Sequence, residues 1–166
     1  MSGAHPEAIP AYIGLGSNLG EPRQQIENAL ELLGRIPDSR LVARSSLYTS
    51  APFGPVEQPD FVNAAALVHT TLGAWSLLGH LQKIERVQGR IAGIRWGPRL
   101  LDLDLLVYGD HRIDEPSLTV PHTGIAERNF VLLPLREIAP ELVIPGLGQI
   151  GDIEVNELVP RISRIE

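Results

Sequence analysis

The sequence predicts an α+β fold: an antiparallel sheet with helices packed on it. Three observations carry this. Two segments have the apolar period of a helix and lie between short apolar runs that suit strands. Their order along the chain is strand, helix, strand, strand, helix, strand, the βαββαβ arrangement of the ferredoxin-like fold. The 16 glycines and 14 prolines are spread as punctuation, which favours many short elements. The repeated alternation of helix and strand also suits a parallel α/β sheet, the second choice.

Ile9 to Gly16 is a short apolar run, read as the first strand. Gly14, Gly16 and Gly20 bracket a turn, Gly16-Ser-Asn-Leu-Gly20. Pro22 to Leu33 reads as a helix: Pro22 suits a first turn, and Ile26, Ala29, Leu30 and Leu33 fall on one face. Gly34 is a natural stop. Leu41 to Tyr48 is the second strand. Ala51 to Asp60 holds three prolines and a glycine and reads as a loop. Phe61 to Thr71 is a strand rich in Val and Ala, and Trp75 to Gln88 a helix with Leu77, Leu78, Leu81, Ile84 and Gln88 along one stripe. Gly89 to Arg99 is a second loop, Leu100 to Tyr108 a strand, and Gly109-Asp-His a hairpin-like turn. Asn129 to Ile138 reads as a third helix weakened by Pro134, and the tail from Gly148 has no clear pattern.

At 166 residues the chain fits a single domain over 1–166, with 1–8 expected to be a flexible N-terminal extension. With no cysteine, a disulfide framework, a thiolate zinc site and a cysteine nucleophile are excluded. The formal charge of −6 argues against broad nucleic-acid or anionic-membrane binding. Met1-Ser-Gly-Ala-His-Pro-Glu-Ala lacks the basic and apolar regions of a signal peptide, and no apolar stretch reaches membrane-helix length. A cytoplasmic protein is expected. Of the 14 cations only Lys83 is lysine; 13 are arginine, which grips carboxylates and phosphates with a planar fork.

Leu101-Asp-Leu-Asp-Leu-Leu-Val-Tyr108 carries the strongest chemistry. In a strand, Leu101, Leu103, Leu105 and Val107 would face a core, and Asp102 and Asp104 the other way. Side-by-side carboxylates repel unless a cation lies between them, and one or two carboxylates with substrate phosphates is the usual Mg²⁺ arrangement. A solvent-facing polar stripe would use the same spacing. The loop upstream shifts the balance: Arg86, Arg90, Arg95 and Arg99 fall between Glu85 and Asp102 with no acidic residue among them. Carboxylates beside an arginine-rich Gly/Pro loop suit a metal–polyphosphate.

Gly14-Leu-Gly-Ser-Asn-Leu-Gly20 is neither a dinucleotide fingerprint nor a Walker loop, so a tight strand-to-helix turn is the better reading. Among the aromatics, Phe53 lies in the Pro/Gly loop, Phe61 starts the next strand, Trp96 lies in the arginine loop and Phe130 follows Arg128, and such rings could stack on a flat heterocycle. Asn63, on the strand face of Phe61, offers a donor and an acceptor. Core packing remains the simpler account of any single Phe. His122 has no second histidine at metal-ligand spacing, but with Arg128 it could contact a phosphate.

Trp96-Gly-Pro-Arg-Leu-Leu-Asp-Leu-Asp-Leu-Leu106 closely resembles the signature of the 6-hydroxymethyl-7,8-dihydropterin pyrophosphokinase (2-amino-4-hydroxy-6-hydroxymethyldihydropteridine diphosphokinase) family. Ile13 to Gly20, Gly54 to Ala65, Leu118 to His122 and Ile138 to Leu142 resemble it too, and the likeness spans roughly residues 11–145. The resemblance implies a ferredoxin-like core and transfer of the β,γ-pyrophosphate of ATP, the co-substrate, to the hydroxymethyl group, releasing AMP in folate synthesis. It implies Mg²⁺, two ions per site, on Asp102 and Asp104, with Arg90 and Arg99 also catalytic. It implies ATP contacts from Gln82, Glu85, Arg90, Trp96, Arg99, Leu105, Thr119, His122 and Arg128. It places the pterin near Ser50, Ala51, Pro52, Phe53, Phe61, Asn63, Trp96 and Phe130, with loops 51–60 and 89–99 as lids. A monomer is expected, with no nucleic-acid or membrane partner. The chain departs from the family in having Thr123 and Ser117 where some relatives carry larger side chains, Phe61 for a frequent Tyr, and fewer cations in Arg90 to Arg95. A metal-dependent glycosyltransferase and a ferredoxin-like RNA-binding module are the competing classes, disfavoured by length and by charge respectively.

Overall fold

The computed structural model describes residues 7–52, 54–88, 100–158 and 160–165. β1 (Ile9–Ser17) leads into α1 (Pro22–Leu33), with Pro22 in its first turn and Gly34 at its C-cap. β2 (Ser39–Arg44), β3 (Tyr48–Ser50) and β4 (Phe61–Thr70) follow, then α2 (Ala74–Val87) and β5 (Asp102–Tyr108). A hairpin of β6 (Ile113–Glu115) and β7 (Leu118–Val120) precedes α3 (Asn129–Ile138). The tail forms a small pair, β8 (Val143–Ile144) and β9 (Gly148–Gln149), a 3₁₀ turn (Ile150–Asp152) and β10 (Ile162–Arg164).

The main sheet runs β10-β3-β4-β1-β5, with β2 also paired to β4, and every described pairing is antiparallel. This is the ferredoxin-like order predicted from βαββαβ, and it excludes the parallel alternative. One face packs on α1 and α2. Ala11, Ile13 and Leu15 of β1, Val62, Ala64, Ala66 and Val68 of β4, and Leu103 and Leu105 of β5 meet Ile26, Leu30 and Leu33 of α1 and Leu77, Leu81 and Ile84 of α2. The other face is covered at one end by α3 and the tail, through Val131, Leu132, Leu135, Ile144 and Ile150. Among the described residues no helix is long and apolar enough to cross a membrane.

The structure corrects several expectations. Gly14 and Gly16 lie inside β1, as the strand reading to Gly16 has it; of the three glycines expected to bracket the turn only Gly20, with φ of 66°, takes its left-handed conformation. The expected strand Leu41–Tyr48 is two strands, because Ser45 breaks it. Its amide donates to Ala65 O (2.8 Å), its hydroxyl accepts from Ala65 N–H (2.8 Å), and β2 and β3 then pair with successive stretches of β4. The next strand starts at Asp102 rather than Leu100, and Gln88 caps α2 instead of extending it.

Val107 does not share the face of Leu101, Leu103 and Leu105. The β1–β5 register jumps from Ile13↔Leu105 to Tyr12↔Val107, which leaves Leu106 as the extra residue of a bulge. The bulge turns Leu106 and Val107 toward the α3 side and restores Tyr108 to the α1–α2 side. The hairpin β6–β7 and the strand β10 were not foreseen.

Candidate active site

The antiparallel register lines up the functional side chains in rows across the sheet. Asn63 of β4 is opposite Gly16 of β1, which is opposite Asp102 of β5; one row over, Ala65, Gly14 and Asp104 are aligned. Residues directly opposite one another share a face. All of these point to the side that α3 covers only in part. With neighbouring strands about 4.8 Å apart, Asn63 and Asp102 stand roughly 10 Å from each other with only glycine between them.

The result is a pocket whose floor is bare backbone. Gly14 and Gly16 form the floor, and Ser50, Ala51, Phe61 and Asn63 one wall. Asp102 and Asp104 form the opposite wall, and Arg128, Phe130 and Val131, at the start of α3, the rim. Asn63 Nδ2 donates to Ser50 Oγ at 2.8 Å, and both residues are buried. That bond fixes the amide so that Oδ1 faces the space above Gly16, where an added Cβ would meet it at 3.5 Å. An acceptor at a fixed position on an aromatic-edged pocket can read an N–H on the edge of a flat ring.

A second depression adjoins the first. Leu78, Leu103, Leu105, Ser117, Thr119, His122 and Thr123 line it, and Asp104 lines both. The Leu106 bulge supplies this side. Its carbonyl accepts the His122 N–H at 2.8 Å, which docks the segment after β7 onto β5. The Val120–Pro121 peptide in that segment is cis. His122 Nδ1 accepts from Gly124 N–H at 3.0 Å, so Nε2 carries the ring proton, and Nε2 lies 3.9 Å from Asp104 Oδ1. Burial pushes the His122 pKa below its ordinary value and the Arg128 charge pushes the same way, so the ring is neutral at pH 7.

Glu85 is a buried carboxylate on α2 whose Oε2 accepts the Leu103 N–H at 2.9 Å. Leu103 lies between the two aspartates, so this bond anchors their strand to α2. Asn18 is also buried, and its Nδ2 donates to Gln58 Oε1 (2.8 Å) and Pro59 O (2.9 Å), tying the β1–α1 turn to the proline-rich loop. The sequence reading gave this asparagine no role. A polar side chain inside a glycine-rich turn was the available signal.

Residues 12–140 match the family of 7,8-dihydro-6-hydroxymethylpterin-pyrophosphokinase (HPPK). The chain belongs to the HPPK family. It is 52% identical over 134 residues to a 2-amino-4-hydroxy-6-hydroxymethyldihydropteridine pyrophosphokinase of Pseudomonas aeruginosa, covering 81% of this chain and 83% of that protein. It is 49% identical over 138 residues to the protein of the same name from Haemophilus influenzae, covering 83% and 86%. A crystal structure of Plasmodium falciparum HPPK-DHPS with pteroate aligns at a TM-score of 0.72 and 15% identity, over 90% of this chain and 44% of that longer one. That likeness shows the fold alone.

Most of the residues expected from the HPPK resemblance that the structure describes do converge. Ser50, Ala51, Phe61, Asn63, Asp102, Asp104, Arg128 and Phe130 line the first pocket, and Leu105, Thr119 and His122 the second. Pro52 borders Ala51 but does not line it, Gln82 is exposed on α2, and Glu85 is turned to the β5 backbone. Phe53, Arg90, Arg95, Trp96 and Arg99 lie outside the described residues.

Proposed function

We propose that this chain transfers pyrophosphate from ATP to the hydroxymethyl group of 6-hydroxymethyl-7,8-dihydropterin, releasing AMP, in folate synthesis. The observation that carries the reading is Asp104 on the border of two pockets. One is floored by glycine and edged by Phe and Asn; the other is lined by Ser, Thr and His. Two substrates that react with each other must meet, and the paired aspartates mark the meeting point. The name shared by the bacterial relatives supports the same reaction.

In this reading the pterin lies over Gly14 and Gly16, its pyrimidine edge on Asn63 and its ring beside Phe61 and Phe130, near Ser50, Ala51, Pro52 and Phe53. The nucleotide occupies the second pocket, against Leu105, Thr119 and His122. Gln82, Glu85, Arg90, Trp96, Arg99 and Arg128 frame the nucleotide and its phosphates. The substrate oxygen attacks the β-phosphorus, a new O–P bond forms, and the bond from that phosphorus to the bridging oxygen of AMP breaks. AMP leaves with the electron pair, and the hydroxyl proton is released. Arg128, with Arg90 and Arg99, would stabilise the charge on the transferring group.

Two carboxylates on one strand face fit Mg²⁺, which takes one or two protein carboxylates and completes its shell with phosphate oxygens and water. Asp102 and Asp104 would hold it, as two ions per site. When bound, Mg²⁺ neutralises phosphate charge and favours in-line alignment. A neutral His122 beside Asp104 leaves the aspartate's charge available for that role. We assign the chain as a single cytoplasmic, monomeric domain.

The test is AMP formation by the purified chain with ATP, Mg²⁺ and 6-hydroxymethyl-7,8-dihydropterin. Pterin-dependent AMP release is expected. Hydrolysis of ATP without the pterin, or none with it, would sink the reading.

A further inference from the structure

We propose that residues 156–158 and 160–165, anchored by Asn129, form a positioning strap that holds the Ser50–Ala51 wall of the pterin-side pocket at a fixed separation from the rim at the start of α3. The inference rests on the functional reading above. It concerns a segment that lies beyond the residues matched to the family, which end at 140.

The strap touches one wall and reaches the rim through Asn129, and it lines neither. At one end, β10 extends the sheet next to β3, with Ile162 opposite Ser50, Ser163 opposite Thr49 and Arg164 opposite Tyr48. The pairing runs on past both strands: Ala51 N–H donates to Arg161 O at 2.9 Å, and Ile165 N–H to Leu47 O at 2.8 Å. Ser50 and Ala51 are pocket wall. Without β10, β3 would be a three-residue edge strand with one partner, and so short a strand is poorly held.

At the other end, Asn129 opens α3 between Arg128 and Phe130, both on the pocket rim. Its side chain is buried and its Nδ2 donates to two strap carbonyls, Asn156 O and, at 2.7 Å, Pro160 O. Both partners are acceptors, so the amide can present only its NH₂ to them. Asn129 Oδ1 is left buried with no partner among the described residues. A buried unsatisfied acceptor is costly, so the amide is held there by what its NH₂ ties down. A turn between the two ends keeps the strap short: Ile162 N–H donates to Glu157 O at 3.2 Å, and Leu158 N–H to Asn156 Oδ1 at 2.9 Å. The segment therefore connects the first turn of α3 to the end of β3. Asn129 is a positioning residue; it touches no reacting atom.

The consequence is thermodynamic coupling. If the strap sets the pocket, ligand in the pocket must stabilise the strap, because linkage is reciprocal. The first experiment is hydrogen exchange by NMR on the full wild-type chain with and without 6-hydroxymethylpterin. Exchange at 161–165 should slow by about fivefold or more on binding, although these residues do not line the pocket. Protection confined to the pocket residues would overturn the proposal.

The second experiment uses Asn129→Ala in the full chain. Exchange at the Ala51 amide should quicken by about tenfold, and KM for the pterin should rise by a similar factor with KM for ATP within about twofold. A folded variant that keeps both Ala51 protection and pterin KM unchanged, or one that weakens both substrates equally, would overturn it. Should this variant not fold, the wild-type exchange decides. A wild-type chain that makes no AMP would sink the functional reading instead, and exchange at Ala51 in Asn129→Ala would still show whether the strap holds β3.

Discussion

Gly16 lies directly opposite Asp102 in the β1–β5 ladder. Its place there, with Asn63 on its other side, gives the pocket a floor no higher than the backbone. A methyl added at Gly16 would stand 3.5 Å from Asn63 Oδ1 and 3.9 Å from the Phe61 ring, ordinary contacts that need no movement of the fold. Replacing a strand glycine by alanine gains about 0.5–1 kcal/mol of stability where the backbone allows it. Gly16→Ala is therefore expected to hold or raise Tm while weakening pterin binding about tenfold or more, because the methyl occupies the ring's space. Thermal melts and a pterin titration check this. Undiminished affinity would move the heterocycle off this floor.

Gly124 is a second glycine with a definite reason. An added Cβ would come within 2.8 Å of Arg128 Nε and 2.9 Å of its Cδ, so the guanidinium stem lies against bare backbone. Gly124→Ala requires the Arg128 side chain to shift from its place on the pocket rim. It is expected to reproduce a large part of the turnover lost in Arg128→Ala, and a double variant should be little worse than Arg128→Ala alone. Additive losses in the double variant would show that Gly124 acts by another route. Steady-state kinetics on the three variants decide it.

Asp102 and Asp104 both stand at the pocket surface rather than in the core. Asn at either position keeps the shape and removes the charge that draws a cation. Asp102→Asn and Asp104→Asn are each expected to cut turnover by about a thousandfold, roughly 4 kcal/mol of transition-state stabilisation. Their melting temperatures without metal should stay near that of the wild type. Mg²⁺ should raise the wild-type Tm in the presence of a non-hydrolysable ATP analogue, and EDTA should reverse the rise; neither variant should respond. A full Mg²⁺ response in both variants would place the metal elsewhere.

These three sites show which features were legible in the sequence and which were not. The Asp-x-Asp alternation fixed the facing of two carboxylates because period 2 is a local property. The apolar stripe of α1 and the bounds of α3 could be read for the same reason, although Pro134 lies inside α3. What escaped depended on pairing between distant segments. Gly14 and Gly16 were legible as the end of a strand beside a turn, but their reason was not; they answer to partners on both neighbouring strands. The Leu106 bulge, which redirects Val107 and docks His122, is a register event between β1 and β5 with no local mark. β10 is three residues long and holds through β3, so no pattern within it could reveal it.

Tyr48 and Glu137 give a pH signature away from the pocket. Tyr48 OH donates to Glu137 Oε1 at 2.6 Å, and Glu137 Oε2 accepts from the Ser46 amide (2.8 Å) and hydroxyl (3.2 Å), so one carboxylate ties α3 to the start of β3. Burial pushes the Glu137 carboxyl up, but these hydrogen bonds and the Arg164 charge outweigh it and hold the pKa below the ordinary value. The carboxylate's contribution is thus fully present above the unfolded value near 4.5 and fades as pH falls through the folded one. Tyr48 is shifted the other way: burial, then its bond to Glu137, then the carboxylate's charge, raise its pKa from 10.0. Its contribution is present below pH 10 and fades as the pH climbs. Urea midpoints should therefore drop on both flanks. Glu137→Gln is expected to flatten the acid limb, by about 1 kcal/mol or less because the carboxylate is largely exposed. Tyr48→Phe should flatten the alkaline limb and cost about 1 kcal/mol at pH 7. Profiles parallel to the wild type at both extremes would show that the α3–β3 tie carries no titratable stability.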